Sequence, residues 1–254
     1  MAEGDRSHAY RTSCALFTGR SHASSGMPCQ DYVAARSQNG FACVALADGA
    51  GSKKHSEHGS RTVVKAITRL LLDRFDELWT MAETNPSQTT IEILQHCLQG
   101  LERQAIGLRC GQAELASTLL FVAHSKGRYL AGHIGDGCIL HQQEDGQIMV
   151  LSHPENGEFA NTTFFVTDST ASSRLRLYRG QCGQGAGFVL MSDGTAESLY
   201  RRLDKTPATA AVRQILSWSR TKEPAQMREV LSDNLEHAFA KKTTDDCSIG
   251  VLSM

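Results

Sequence analysis

The chain has 254 residues, 41% of them apolar and 21% charged, with 26 Lys and Arg against 27 Asp and Glu. That length holds one large domain or two small ones and can bury a sizeable core. The balanced charge excludes nucleic acid as the main ligand and leaves no acidic tail. No run reaches the ~18 uninterrupted apolar residues of a membrane span.

The first residues, Met1 to Arg6, lack the apolar core of a secretory signal. The eight cysteines are scattered without a Cys-x-x-Cys pair. The expectation is free thiols, small buried side chains and a cytoplasmic protein.

Residues 12–18 read as a strand, followed by a turn-rich stretch from Gly19 to Pro28 and a second strand near 31–36. Phe41 to Ala47 is short and apolar on both faces, which predicts an interior strand. Val63, Val64, Ile67, Leu70, Leu71 and Phe75 recur at three- and four-residue spacing, and a second such run holds Ile91, Ile93, Leu94, Leu98 and Leu101. These are two amphipathic helices, separated by Asn85-Pro86-Ser87. Strands return at about 116–124, 128–134, 138–142 and 147–151, with Lys126-Gly127 and Asp145-Gly146 as hairpin turns.

The polar stretch 153–172 reads as a long loop or flap that includes Glu155, Asn161 and Thr162, and as a seat of specificity. Strands follow near 174–179 and 187–192. The glycine-rich Gly183–Gly187 between them reads as a hairpin, since it precedes a strand and no Gly-Lys-Ser/Thr follows. Helices at 207–219 and 224–240 precede a last strand at Ile249–Leu252. Runs of strands with grouped helices predict an α+β fold of antiparallel sheets under helices, in one domain spanning 1–254.

Asp-Gly occurs at 48–49, 136–137, 145–146 and 193–194. Asp145 fits a hairpin turn. Asp48 and Asp193 differ, because each ends an apolar run and leads toward a helix, although Asp193 could serve as an N-cap. Asp136 fits either reading. Carboxylates at strand ends stand on a rigid base, and several that meet in one cleft repel by about 4 kcal/mol per pair at ~4 Å. A divalent cation removes that repulsion, and all-oxygen ligation suits Mg²⁺ or Mn²⁺ better than Zn²⁺. Asp31 opens the second strand, and Asp245-Asp246 precedes the last one.

Gln30-Asp31, Ala47-Asp48-Gly49, Ile134-Gly135-Asp136, Met191-Ser192-Asp193-Gly194 and Asp245-Asp246-Cys247-Ser248, in that order, resemble the metal-dependent Ser/Thr protein phosphatases of type 2C, bacterial branch. The resemblance implies a four-layer sandwich, two mainly antiparallel β-sheets flanked by helix pairs. It implies Asp48 bridging two metals, the Gly49 carbonyl on one of them, and Asp193 and Asp245 completing the first site. Asp31 would act from the outer shell, and Asp136 matches a third, weaker metal position. Asp246 would be a structural neighbour of Asp245. The implied cofactors are Mn²⁺ or Mg²⁺, and the implied reaction is hydrolysis of phosphoserine or phosphothreonine on proteins.

Three departures stand out. The arginine that binds substrate phosphate in many members is missing, and Arg20 or His22 are the substitutes on offer. Ala50 stands where animal members place a general-acid histidine; His55, His58 and Lys53 lie nearby. Gly137 replaces a common serine. The haloacid-dehalogenase motif is excluded, because Met191 occupies the position of its nucleophilic aspartate. The alternative function is a catalytically silent module of the same fold that binds phosphoproteins or a regulatory partner. Expected partners are phosphoprotein substrates and, by family habit, a cognate Ser/Thr kinase, with the chain a monomer.

Overall fold

The computed structural model describes residues 10–155 and 163–254. In chain order the elements are β1 (Arg11–Phe17), α1 (Arg20–Ser25), β2 (Tyr32–Gln38), β3 (Phe41–Ala47), α2 (Ser56–Thr84) and α3 (Pro86–Leu108). There follow β4 (Leu119–Ser125), β5 (Arg128–Ile134), β6 (Cys138–Gln142), β7 (Ile148–Ser152), α4 (Ala171–Arg174), β8 (Arg176–Gln181) and β9 (Gly187–Met191). The chain closes with α5 (Asp193–Leu199), β10 (Tyr200–Arg201), β11 (Thr206–Pro207), α6 (Thr209–Thr221), α7 (Pro224–Asn234) and β12 (Cys247–Ser253).

Two five-stranded sheets carry the fold, in the orders β1-β12-β9-β6-β7 and β2-β3-β4-β5-β8. Every pairing in them is antiparallel. Side chains alternate across a strand, and β3 shows the consequence. Cys43, Ala45 and Ala47 join the core under α2 and α3, whereas Ala42, Val44 and Leu46 face the second sheet. Phe188, Leu190 and Leu252 meet them from that sheet, and Val189, Met191 and Val251 turn the other way toward α5, α6 and α7. Three buried layers between four layers of secondary structure are the expected sandwich.

Helix α2 carries its apolar residues at the predicted spacing, and Asn85 caps α3 by accepting from the Gln88 N–H, with Pro86 at its first position. Asp145 is the turn residue expected of it, accepting from the Gln147 N–H. Two expectations change. The turn-rich stretch contains the short helix α1. Gly183–Gly187 is a crossing between sheets, not a hairpin, because β8 and β9 belong to different sheets. The carboxyl-terminal strand draws it there: the Gly185 N–H donates to the Met254 carbonyl at 3.1 Å. Among the described residues no helix is long and apolar enough to cross a membrane. Of the predicted flap, residues 156–162, with Asn161 and Thr162, lie outside the described residues.

Candidate active site

The strand registers bring the aspartates to one end of the sandwich. Tyr32 pairs with Ala47, so Asp31 and Asp48 stand opposite one another one step beyond the ladder. Cys138 pairs with Met191, so Asp136 and Asp193 lie two steps beyond that pair. Asp136 is therefore not a hairpin residue, since β5 and β6 lie in different sheets. The open-ended hairpin reading for Asp136 closes once the two sheets are separated.

An open cleft of about 690 Å³ is lined by Asp48, Gly49, Asp136, Asp193 and Asp245. Asp31 lies just beneath, 3% exposed. Its Oδ2 accepts from the Ser248 hydroxyl at 2.6 Å. Its Oδ1 and the Oε1 of Gln30 are buried with no hydrogen-bond partner among the described residues. Burial, and then the charges of Asp31, Asp193, Asp136 and Asp245, push the Asp48 carboxyl well above its ordinary range. Asp193 is raised by burial and then by Asp136 and Asp245. Asp136 is raised chiefly by burial, and Asp31 by burial and then by Asp246 and Asp193.

Carboxylates only accept hydrogen bonds when ionised. Several gathered together, with two buried oxygens unpartnered, call for a cation. The donors are all oxygen, so the set fits Mg²⁺ or Mn²⁺.

The backbone around these groups is fixed locally. The Asp48 N–H donates to Thr118 Oγ1 at 2.9 Å, and the Thr118 N–H donates back to the Asp48 carbonyl at 2.8 Å. Gly49 N–H donates to the Gln30 carbonyl at 3.1 Å, and a Cβ at residue 49 would sit 2.9 Å from both that oxygen and Ser56. Asp193 is the first residue of α5 and not its cap; its Oδ1 accepts from the Gly194 N–H at 2.6 Å. The glycine after it serves close approach, since a Cβ at residue 194 would lie 2.2 Å from the Asp246 carbonyl. The same reason explains Gly137, whose Cβ would lie 2.6 Å from the Met191 carbonyl.

The two adjacent aspartates divide. Asp245 lines the cleft. Asp246 is 2% exposed and ties three segments together. It accepts from the Gly19 N–H at 2.7 Å, the Gln30 N–H at 2.6 Å and His22 Nδ1 at 2.9 Å.

The phosphate-binding candidates also separate. His22 lines the cleft, whereas the Arg20 guanidinium donates to the Thr243 carbonyl at 3.1 Å and is not among the lining residues. Lys53, His55 and His58 likewise fall outside the lining. The sequence reading overlooked Arg202. It follows β10, lines the cleft, and is the one Lys or Arg to do so among the described residues. Its Nε donates to Glu197 of α5 at 3.1 Å, and its charge counters those of Asp136 and Asp193. No motif marks it, because only the two-stranded β10–β11 ladder carries it to the cleft. From the flap, Thr163 donates to Asp136 Oδ2, and Phe165 closes one wall.

Comparison with known proteins bears on this arrangement. The family described as Protein phosphatase 2C matches residues 18–236. Serine/threonine-protein phosphatase 3 of Escherichia coli strain K12 is 27% identical over 206 residues, covering 78% of this chain and 79% of that protein. The S. agalactiae serine/threonine phosphatase aligns with TM-score 0.63 at 17% identity, over 97% of this chain and all of its own. The catalytic domain of PstP, in complex with two manganese ions, aligns with TM-score 0.61 at 16% identity, over 96% and 97%. RsbX in complex with magnesium aligns with TM-score 0.57 at 12% identity, over 96% and 94%. At these identities the solved structures speak for the fold.

Proposed function

The chain belongs to the protein phosphatase 2C family, and from that premise we propose that it hydrolyses phosphoserine and phosphothreonine on proteins with two divalent cations. The observation that carries the reading is the meeting of four carboxylates, those of Asp48, Asp136, Asp193 and Asp245, on one cleft with Asp31 buried beneath it. Burial together with mutual repulsion raises the proton affinity of Asp31, Asp48, Asp136 and Asp193.

Asp48, the Gly49 carbonyl, Asp193 and Asp245 would hold the pair, with Asp31 beneath it and Asp136 beside it for a third. Mn²⁺ and Mg²⁺ both suit these oxygens. Bound there, the ions supply Lewis acidity and an acidified water. The chain's own groups do the rest. Arg202 offers its terminal nitrogens to a phosphoryl oxygen while Glu197 holds its Nε. His22, fixed through Nδ1 by Asp246, has Nε2 left to hold a proton at the cleft wall. Arg202 thus takes the place of the missing amino-terminal arginine, and Ser21 and Thr244 also line the cleft. Eight free thiols fit a reducing cytoplasmic setting.

Asp48→Asn is the direct test. Phosphate-monoester hydrolysis is among the slowest uncatalysed reactions, so catalysis must lower its barrier by ~20 kcal/mol or more. Turnover of an aryl phosphate in Mn²⁺ is expected to fall by at least about a thousandfold, the loss of one transition-state contact worth roughly 4 kcal/mol. A rate near wild type refutes the assignment. A wild-type chain that binds Mn²⁺ but turns over no phosphoprotein would instead favour the silent binding module.

A further inference from the structure

A second groove, of about 520 Å³, lies between α2 and α3. Its walls carry His58, Arg61, Lys65, Arg69, His96 and Arg103, and no carboxylate is among the described residues that line it. The whole chain has a formal net charge of −1, so four permanent cations in one groove are a local segregation of charge. The floor is made of Thr62, Ala66 and Gly100, small enough for a peptide backbone to come close.

The cations are weakly neutralised. Arg69 meets Asp73 at 3.7 Å, but both side chains are more than half exposed, where such a pair contributes little. Arg61 lies over the Tyr32 ring at 5.2 Å, which orients it without cancelling its charge. Lys65 and Arg103 form no ion pair among the described residues. The field is felt by a neighbour: burial, and then Arg103 and Arg74, lower the proton affinity of His96, with Asp73 acting against them and Arg69 with them. A neighbouring groove of about 460 Å³ shares Lys65 and Arg69 and adds Arg36, with Asp73 as its one carboxylate among the described residues.

Position decides what this band serves. Ser56, the first residue of α2, packs on Gly49 of the acidic cleft, and His58 opens the groove. At 1.5 Å per residue, Lys65 stands roughly 13 Å and Arg69 roughly 20 Å along α2 from Ser56. An extended peptide covers those distances in about four to six residues.

We propose that the α2–α3 groove docks an acidic segment of the protein substrate, rich in Asp and Glu and about four to six residues from the phosphorylated residue. This deepens the phosphatase reading and rests on it. The groove recognises the carboxylates, and the cleft receives the phosphate.

The test compares phosphopeptides that share their central residues and differ only in four flanking positions, acidic or neutral, placed on either side. Wild type is measured beside the double variant Lys65→Glu/Arg103→Glu, with p-nitrophenyl phosphate as a substrate that has no flank. One acidic peptide is expected to show a KM about tenfold below its neutral twin at low salt, the effect of two or three partly exposed ion pairs. The double variant should erase that difference and keep the aryl phosphate rate. Equal KM values in wild type, or a preference that survives charge reversal, overturn the proposal.

Should wild type turn over neither peptide nor aryl phosphate in Mn²⁺, the phosphatase reading fails. The groove is then judged by anisotropy with a fluorescent, unphosphorylated acidic peptide. Binding abolished by the double variant supports docking. No binding, or tighter binding of a single-stranded RNA, overturns it.

Discussion

Replacing Asp246 by alanine is expected to destabilise the protein by about 4 kcal/mol, although this residue touches neither metal nor substrate in our reading. Its carboxylate accepts from two buried N–H groups, those of Gly19 and Gln30, and from His22. A buried donor left without an acceptor costs roughly 1–3 kcal/mol, and hydrogen bonds to charged groups lie at the upper end of their range. Two orphaned backbone donors and a released imidazole therefore add to about 4 kcal/mol. For a chain of this length that is a fall in Tm of roughly 8–16 °C. Domains of this size are stable by ~5–15 kcal/mol, so the variant should still fold and be measurable by urea denaturation. Asp246→Asn should lose about half as much, since one amide oxygen still accepts while the amide nitrogen meets an N–H head-on. A loss under about 1 kcal/mol for alanine would refute the reasoning, because it would mean that water serves these donors equally well.

Three further outcomes follow from the same geometry. Asp31, Asp48, Asp136 and Asp193 all bind protons more tightly folded than unfolded; the metal-free protein should therefore lose stability as pH rises from about 4 through their raised folded values. Mn²⁺ should restore it, with a larger Tm gain at pH 8 than at pH 5.5 in a thermal-shift assay, and a metal-free Tm that climbs over that interval would count against the cluster. Arg202→Ala should raise KM for a phosphopeptide about tenfold or more while the Mn²⁺ titration midpoint stays put, with Arg202→Lys in between; an unchanged KM removes Arg202 from phosphate binding. Gly194→Ala should cost roughly 1–3 kcal/mol by denaturation, because its Cβ would stand 2.2 Å from a backbone carbonyl that cannot swing aside; a neutral result would mean that α5 and β12 separate more easily than their packing implies.

The sequence by itself determined most of the elements and singled out the aspartates that end their apolar runs. Alternating and helical apolar spacing is a local property, so β3, α2 and α3 could be read directly from Phe41–Ala47 and from the Val63–Phe75 and Ile91–Leu101 patterns. Aspartates that end apolar runs could be read the same way, because the strand that carries them is local. What the chain could not state locally was pairing. Whether Asp136-Gly137 or Gly183–Gly187 turns a hairpin or crosses between sheets depends on which strands become neighbours, and that is settled by contacts far apart in the chain. Arg202 was illegible for the same reason: an arginine just after a two-residue strand has no signature until Glu197 and the cleft are placed around it. Asp246 shows the limit most sharply. Beside Asp245 in the chain, it is chemically identical, and only the fold decides that one carboxylate opens to the cleft while the other is spent on Gly19, Gln30 and His22.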